Sequence, residues 1–255
     1  MIFDTHAHYD DEAFDEDREA LLESMPKNGV KYIVDVGASM ESCQKVIALT
    51  KEFSFIYGAI GVHPSETENL IEEDMQWLKT EAVNPKVVAI GEIGLDYHWP
   101  EPDKAVQKKW FERQLALAHE TKLPVIIHSR DAAKDTLDIL KEWQKQKTKG
   151  VIHCFAYTKE MAREYLDMDY YFGIGGVLTF KNARRLLEVA EYLPLENILL
   201  ETDCPYLAPE PYRGKRNQSA YIDFVAEKLA QIKGIAKEKV LAQTLQNGLD
   251  FYSIS

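Results

Sequence analysis

Cysteine is scarce in this chain, and what little there is excludes a disulfide scaffold. Cys43, Cys154 and Cys204 are odd in number and contain no C-x-x-C pair, so a disulfide framework is not expected. Long hydrophobic runs are missing too: none approaches the roughly 20 residues that span a bilayer, which excludes a membrane helix. The N-terminus lacks a basic segment followed by an apolar stretch and reaches an acidic residue at Asp4, so no signal peptide is expected and the cytoplasm is the expected compartment. Positive charge is in deficit, with 30 Lys and Arg against 42 Asp and Glu and a net charge of -12. That balance excludes a protein that coats nucleic acid, because such binding needs clustered cations to displace counterions. It leaves room for an enzyme that grips a few phosphates through metal ions and one basic loop, and Arg213-Gly214-Lys215-Arg216 is such a loop.

Low-complexity segments and long linkers are also lacking, and what fills the chain is a strand–helix alternation. Eight short apolar runs read as strands: Ile2–Thr5, Tyr32–Val36, Ile56–Ile60, Val87–Ile90, Val125–Ile127, Val151–His153, Tyr171–Ile174 and Ile198–Leu200. Most are continuously apolar, which suits parallel strands covered on both faces. Between them lie helical periods. Asn182–Leu193 carries a stripe through Leu186, Leu187 and Ala190, and Lys104–Lys122 a wider one through Trp110, Phe111 and Leu115. Tyr221–Lys233 repeats the pattern with Gly234 as its stop, and Asp131 and Thr158 are expected N-caps. Lys237–Tyr252 reads as an extra helix. The alternation predicts an α/β fold, a single (β/α)8 TIM barrel with an extra C-terminal helix, forming one domain over residues 1–255. The proline-rich stretches 99–102 and 205–211 read as loops after the fourth and eighth strands.

Polar residues of one chemical kind recur at the C-terminal ends of these strands. His6 and His8 follow the first, with Asp4 on the same face; Glu92 follows the fourth, His128 ends the fifth, His153 the sixth, and Asp203 closes the eighth. That is the barrel face on which active sites are built. Six nitrogen and oxygen donors buried there without partners would cost several kcal/mol each, roughly, so a metal centre is the expected explanation. Imidazole and carboxylate without thiolate suit Zn, Mn, Co or Fe(II), and Mg less naturally. Cys154 and Cys204 alternate with ligands along the chain and are expected to turn toward the helix layer as buried thiols. The set can serve two divalent ions if Glu92 bridges, with His6, His8 and Asp203 on one and His128 and His153 on the other. Two ions about 3.5–4 Å apart would activate a bridging water and clamp both oxygens of a phosphoester displacement.

His6-Ala7-His8, Gly61-Val62-His63-Pro64, the run from Gly91 through Glu92 to Asp96, Ile127-His128-Ser129-Arg130, His153-Cys154-Phe155 and the run from Glu201 through Asp203 to Leu207 together resemble the TatD family of metal-dependent deoxyribonucleases. The likeness runs from residue 1 to about residue 217. It implies a TIM barrel of the metal-dependent hydrolase superfamily, with His6, His8, Glu92, His128, His153 and Asp203 around the metals. It also implies hydrolysis of DNA phosphodiesters, commonly from a 3′ end. Related amidohydrolases often bridge their metals with a carboxylated lysine, so the glutamate at 92 favours the TatD-like branch. The chain departs from the family pattern at Asn217-Gln218-Ser219, where Asn-Glu-Pro is usual, at His98-Trp99, and at Gln246-Asn247-Gly248 in the last helix.

The expected roles follow. Glu92 and Asp203 are catalytic, Asp203 as proton acceptor for the attacking water, and His63 donates a hydrogen bond to a substrate phosphate. Arg130, Arg213, Lys215 and Arg216 are expected to bind phosphates, although Arg130 could instead pair with Asp131. Glu201 could orient a ligand imidazole, and Asp4 could do the same or be a satisfied interior group. His98 and His119 are taken as structural. DNA is the expected substrate, with no membrane or obligate protein partner and a monomeric state. The rival reading keeps the metals and changes the substrate: a small-molecule amide or ester hydrolase, or an aminoacyl-tRNA deacylase.

Overall fold

The structure, a computed structural model, describes residues 1–254. Eight strands form one parallel sheet in chain order: β1 (Ile2–Ala7), β2 (Val30–Val36), β3 (Ile56–Ile60), β4 (Val87–Asp96), β5 (Val125–Arg130), β6 (Gly150–Ile152), β7 (Tyr171–Ile174) and β8 (Ile198–Leu200). The first strand also meets the segment after the last through a bridge between Ala7 and Cys204. Nine α-helices occur among the described residues: α1 (Arg18–Ser24), α2 (Met40–Glu52), α3 (Glu72–Glu81), α4 (Lys104–Thr121), α5 (Ala133–Trp143), α6 (Lys159–Leu166), α7 (Arg184–Tyr192), α8 (Ile222–Lys233) and α9 (Lys237–Tyr252). The order is that of a (β/α)8 barrel with one added helix. None of the described helices is long and apolar enough to cross a membrane.

The chain divides into two compact units. The first comprises Met1–Asp35, Cys154–Asp167 and the chain from Tyr171 onward; the second comprises Val36–His153 and Met168–Tyr170. In the first, Phe3, Ile33, Phe172 and Leu199 are buried from the strands and Ile222, Leu229 and Phe251 from the helices. The last helix is strapped down by polar bonds as well as apolar burial. Asn247 donates to the carbonyls of Leu195 and Ile198 at 2.8 Å each, and the Tyr252 hydroxyl donates to Thr5 O at 2.8 Å. Of the divergent run, Asn247 and Gly248 are therefore part of the core. In the second unit, Ile60, Ile90, Ile93 and Ile126 of the strands and Trp110, Phe111 and Leu115 of α4 are all buried.

Three strands outlast their apolar runs. β1 continues to Ala7, β4 to Asp96 and β5 to Arg130, so His6, Glu92 and His128 lie within strands instead of after them. The backbone ladder explains the correction, since Gly94, Leu95 and Asp96 pair with His128, Ser129 and Arg130 regardless of side-chain polarity. Between Ile90 and Ile93, β4 takes three steps while β5 takes two, from Val125 to Ile127, which makes a bulge at Gly91-Glu92. Bulges re-aim side chains next to functional sites. Glycine is required at 91 because a Cβ there would lie 2.6 Å from Ile126 Cβ.

The helix ends confirm most caps and correct one. Gly234 closes α8 in the left-handed region at φ 64°, and the Thr158 hydroxyl accepts the Met161 N–H at the start of α6. Asp131 does not cap α5, which begins at Ala133 with no side-chain cap. Its backbone is left-handed at φ 53° and its carboxylate lies 3.3 Å from His98 Nδ1.

Candidate metal centre

The first unit gathers His6, His8 and Asp203. Alternation along β1 puts both imidazoles on one face. Their Nε2 atoms lie 3.0 Å apart, and Asp203 Oδ1 lies 3.8 Å from His6 Nε2 and 3.4 Å from His8 Nε2. Donors each about 2.1 Å from one ion sit roughly 3–3.5 Å apart, so this trio fits a single divalent cation. Backbone bonds bring the carboxylate there: Asp203 N–H donates to His6 O at 3.0 Å and His8 N–H to Cys204 O at 2.9 Å. Asp203 is left-handed at φ 58°, a conformation that non-glycine residues hold when their neighbours enforce it.

Buried carboxyls surround the trio. Asp4 is fully buried, and burial pushes its carboxyl up to about 7 against the hydrogen bonds from Ser219, Thr202 and His6 that favour its charge. It accepts the backbone N–H of His6. Asp35, at the end of β2, accepts the Tyr9 N–H at 2.6 Å, and burial followed by the nearby Asp10 raises its carboxyl well above the usual range. Glu201 accepts the Cys154 N–H at 2.6 Å. A Cβ at Gly173 would lie 2.1 Å from Glu201 Oε2, so that glycine makes the room the carboxylate occupies. Cys204 is buried as expected, whereas Cys154 is only half-buried, at φ 45°, because the turn after β6 exposes it. No disulfide joins the described cysteines.

The second unit gathers His63, Glu92 and His128, each offering a donor atom within 4.8 Å of the others. His128 is clamped at both ring nitrogens, Nδ1 2.7 Å from Glu92 Oε1 and Nε2 3.0 Å from Asp96 Oδ2. Burial works to lower the imidazole, but the Glu92 charge and the bonds to Asp96 and Glu92 outweigh it and raise the group to about 9. Asp96 is itself held below the usual carboxylate range: burial opposes its charge, and the His128 bond prevails. Without metal, His128 is thus an imidazolium between two carboxylates, a site where a divalent ion replaces a proton. His153 Nε2 lies 3.8 Å from Glu92 Oε1, within reach of the same carboxylate. His63 stacks edge-on against His128 with centroids 4.2 Å apart, and its Nδ1 accepts the Ser65 N–H at 3.2 Å. His63, expected to donate to a substrate phosphate, lies beside the Glu92 and His128 donor atoms.

Asp96 is the residue that sequence reasoning missed. Its signal was the even spacing from Glu92 along β4, hidden once the strand was ended at Ile90. Helix α4 fixes both flanks of this cluster. The buried Gln114 amide brackets Val62, accepting its N–H at 2.8 Å and donating to its carbonyl at 3.1 Å. Gln107, also buried, does the same to Asp96 at 2.9 Å for each bond.

The basic residues divide by environment. Arg216 forms two bonds to Asp17, at 2.8 and 2.6 Å, donates to Ala13 O, and lies over the Phe14 ring. Its guanidinium is committed within the protein, because a bidentate pair uses the fork that would take a phosphate. Arg213 is exposed over the Phe180 ring at 4.2 Å, and Lys215 is exposed with its ammonium 6.0 Å from the Tyr212 ring centroid. Arg130 ends β5 exposed to solvent.

Two clusters of imidazole and carboxylate on strands of a parallel (β/α)8 sheet define the class, a metal-dependent hydrolase of the TIM-barrel type. A family model described as TatD related DNase matches residues 3–253, and the chain belongs to the TatD family. It is 43% identical over its whole length to all of YabD from Bacillus subtilis, named an uncharacterized metal-dependent hydrolase. It is 36% identical to YcfH from Escherichia coli K12, named likewise, over 97% of this chain and 94% of that one. The crystal structure of YjjV, a TatD homologue from Escherichia coli K12, superposes with a TM-score of 0.93 at 30% identity, covering 100% of this chain and 98% of that one.

Proposed function

We propose that this chain is a metal-dependent deoxyribonuclease that hydrolyses DNA phosphodiesters from the 3′ end. The observation that carries the reading is a basic loop rooted at a metal-ligand residue. The loop leaves the chain at Pro205, two residues after Asp203, and presents Arg213 and Lys215. It returns at Asn217, whose N–H donates to Pro205 O and whose side chain donates to the carbonyls of Thr202 and Tyr206. The family description, a DNase, supports the same substrate.

Two divalent ions are assigned, one to His6, His8 and Asp203 and one to Glu92 and His128 with His63 or His153. When bound, they supply Lewis acidity that activates a water and offsets phosphate charge. Asp203, partly exposed, accepts the proton that the attacking water gives up. Arg213, Lys215 and Arg130 hold substrate phosphates, and Arg216 with Asp17 anchors the loop. His63, if the second ion leaves its ring available, donates to a phosphoryl oxygen.

The test is a time course on 5′-labelled single-stranded DNA with Mg²⁺ or Mn²⁺, a chelator control, Asp203→Asn, and the charge-reversed Arg213→Glu/Lys215→Glu protein. A ladder shortening from the 3′ end, abolished by chelator and by Asp203→Asn, is expected. The double variant should show a raised KM and a shallower salt dependence. Intact DNA with every metal, together with metal-dependent cleavage of a neutral ester that ignores the charge reversal, would replace this reading by the small-molecule hydrolase.

A further inference from the structure

We propose that Asp4 is a positioning residue for the His6, His8 and Asp203 cluster, acting through Thr202 and Ser219. The inference rests on the reading of that cluster as a metal site. Asp4 is wholly buried and accepts four hydrogen bonds. Its Oδ1 takes the N–H groups of His6 at 3.3 Å and Thr202 at 3.0 Å, and its Oδ2 takes the hydroxyls of Thr202 and Ser219 at 2.6 Å each. One carboxylate therefore bonds the backbone of one candidate ligand and the residue immediately before another.

Thr202 transmits the constraint. Its N–H and hydroxyl are on Asp4, its hydroxyl also accepts the Cys204 N–H at 3.2 Å, and its carbonyl accepts from Asn217 at 2.9 Å. Asp203 is thus flanked on both sides by fixed backbone while it holds φ 58°, the conformation that directs its carboxylate toward the two imidazoles. A left-handed aspartate between loosely held neighbours would relax toward the ordinary regions and lose that direction. Ser219 supplies the last donor and is itself set by Tyr9, whose hydroxyl lies 2.9 Å from Ser219 Oγ and accepts the Ser219 N–H at 3.0 Å. Tyr9 follows His8 in the chain, so the network closes from His6 through Asp203 to the residue beyond His8. A metal site depends on such outer partners for the orientation of its ligands.

The experiment titrates the metal-stripped full chain with Mn²⁺ by calorimetry, together with Thr202→Val, Thr202→Ser, Ser219→Ala and Tyr252→Phe. Tyr252→Phe is the structural control, because it removes a buried bond from the same strand, at Thr5, that reaches no ligand. Thr202→Val and Ser219→Ala should weaken one of the two Mn²⁺ binding events by about ten- to hundredfold and leave the other unchanged. Thr202→Ser should restore wild-type affinity, and Tyr252→Phe should lower the melting temperature alone. If Thr202→Val does not fold, Ser219→Ala, which removes one donor of four, decides. Variants that melt earlier yet bind both ions at wild-type affinity would overturn the positioning role and leave the metal reading standing. A wild-type chain that takes up no Mn²⁺ would overturn the metal reading, and this inference with it.

Discussion

His128 carries a carboxylate on each ring nitrogen, and the balance between them decides its charge. With Glu92 Oε1 at 2.7 Å and Asp96 Oδ2 at 3.0 Å, attraction exceeds the penalty of burial, and the imidazole titrates near about 9 in the metal-free chain. Asp96→Asn removes one charge and should lower that pKa by at least roughly one unit, read from the imidazole C–H shifts by NMR. A wild-type value near the ordinary 6.5 would contradict the clamp. The sequence offered His128 as a candidate ligand because it ends an apolar run, a position visible without coordinates. It could not show Asp96 as its partner, because that contact depends on β4 continuing past its apolar residues. Arg216 tells the same lesson from the other side. In the chain it is one more cation of a basic loop, and only tertiary structure brings Asp17 to it from far away in sequence.

Helix α4 shows how an element can be legible in extent and opaque in role. Its limits were read to within a residue from the stripe through Trp110, Phe111 and Leu115. Gln107 and Gln114, seven residues apart and therefore on one face, are polar, yet both are buried and satisfy strand-end backbone at Asp96 and Val62. Gln114→Leu should cost about 1–3 kcal/mol, because it leaves the Val62 N–H and carbonyl buried without partners. Urea denaturation checks this; a loss below about 0.5 kcal/mol would place Gln114 outside the frame that holds His63. The bulge at Gly91-Glu92 was equally hidden, since an added residue in a strand leaves no mark on an apolar pattern.

The order of the whole chain was the most legible feature, because parallel strands covered on both faces are continuously apolar and stand out from the polar faces of the helices between them. The acid–base behaviour of the whole molecule was not legible, since it comes from burial. Asp4, raised from 3.8 to about 7, favours the fold when protonated, so its contribution is present below pH 4 and lost as pH rises through 7. His128, raised from 6.5 to about 9, contributes fully below pH 6.5 and loses that contribution as pH rises through 9. Both groups make the metal-free chain less stable as pH rises from about 4 to 9. A divalent ion bound at His128 would displace its proton, so the stabilisation such an ion confers should grow over the same interval. Thermal melts with and without Mn²⁺ across that range check the sign; a metal-free melting temperature that rises with pH would contradict it.

The proposed pair of metal sites is tested most directly by elemental analysis of dialysed protein, wild type against Asp203→Asn/His8→Ala. Two ions per wild-type chain and one per variant chain are predicted. Equal metal content in the two proteins, or none in the wild type, would contradict it.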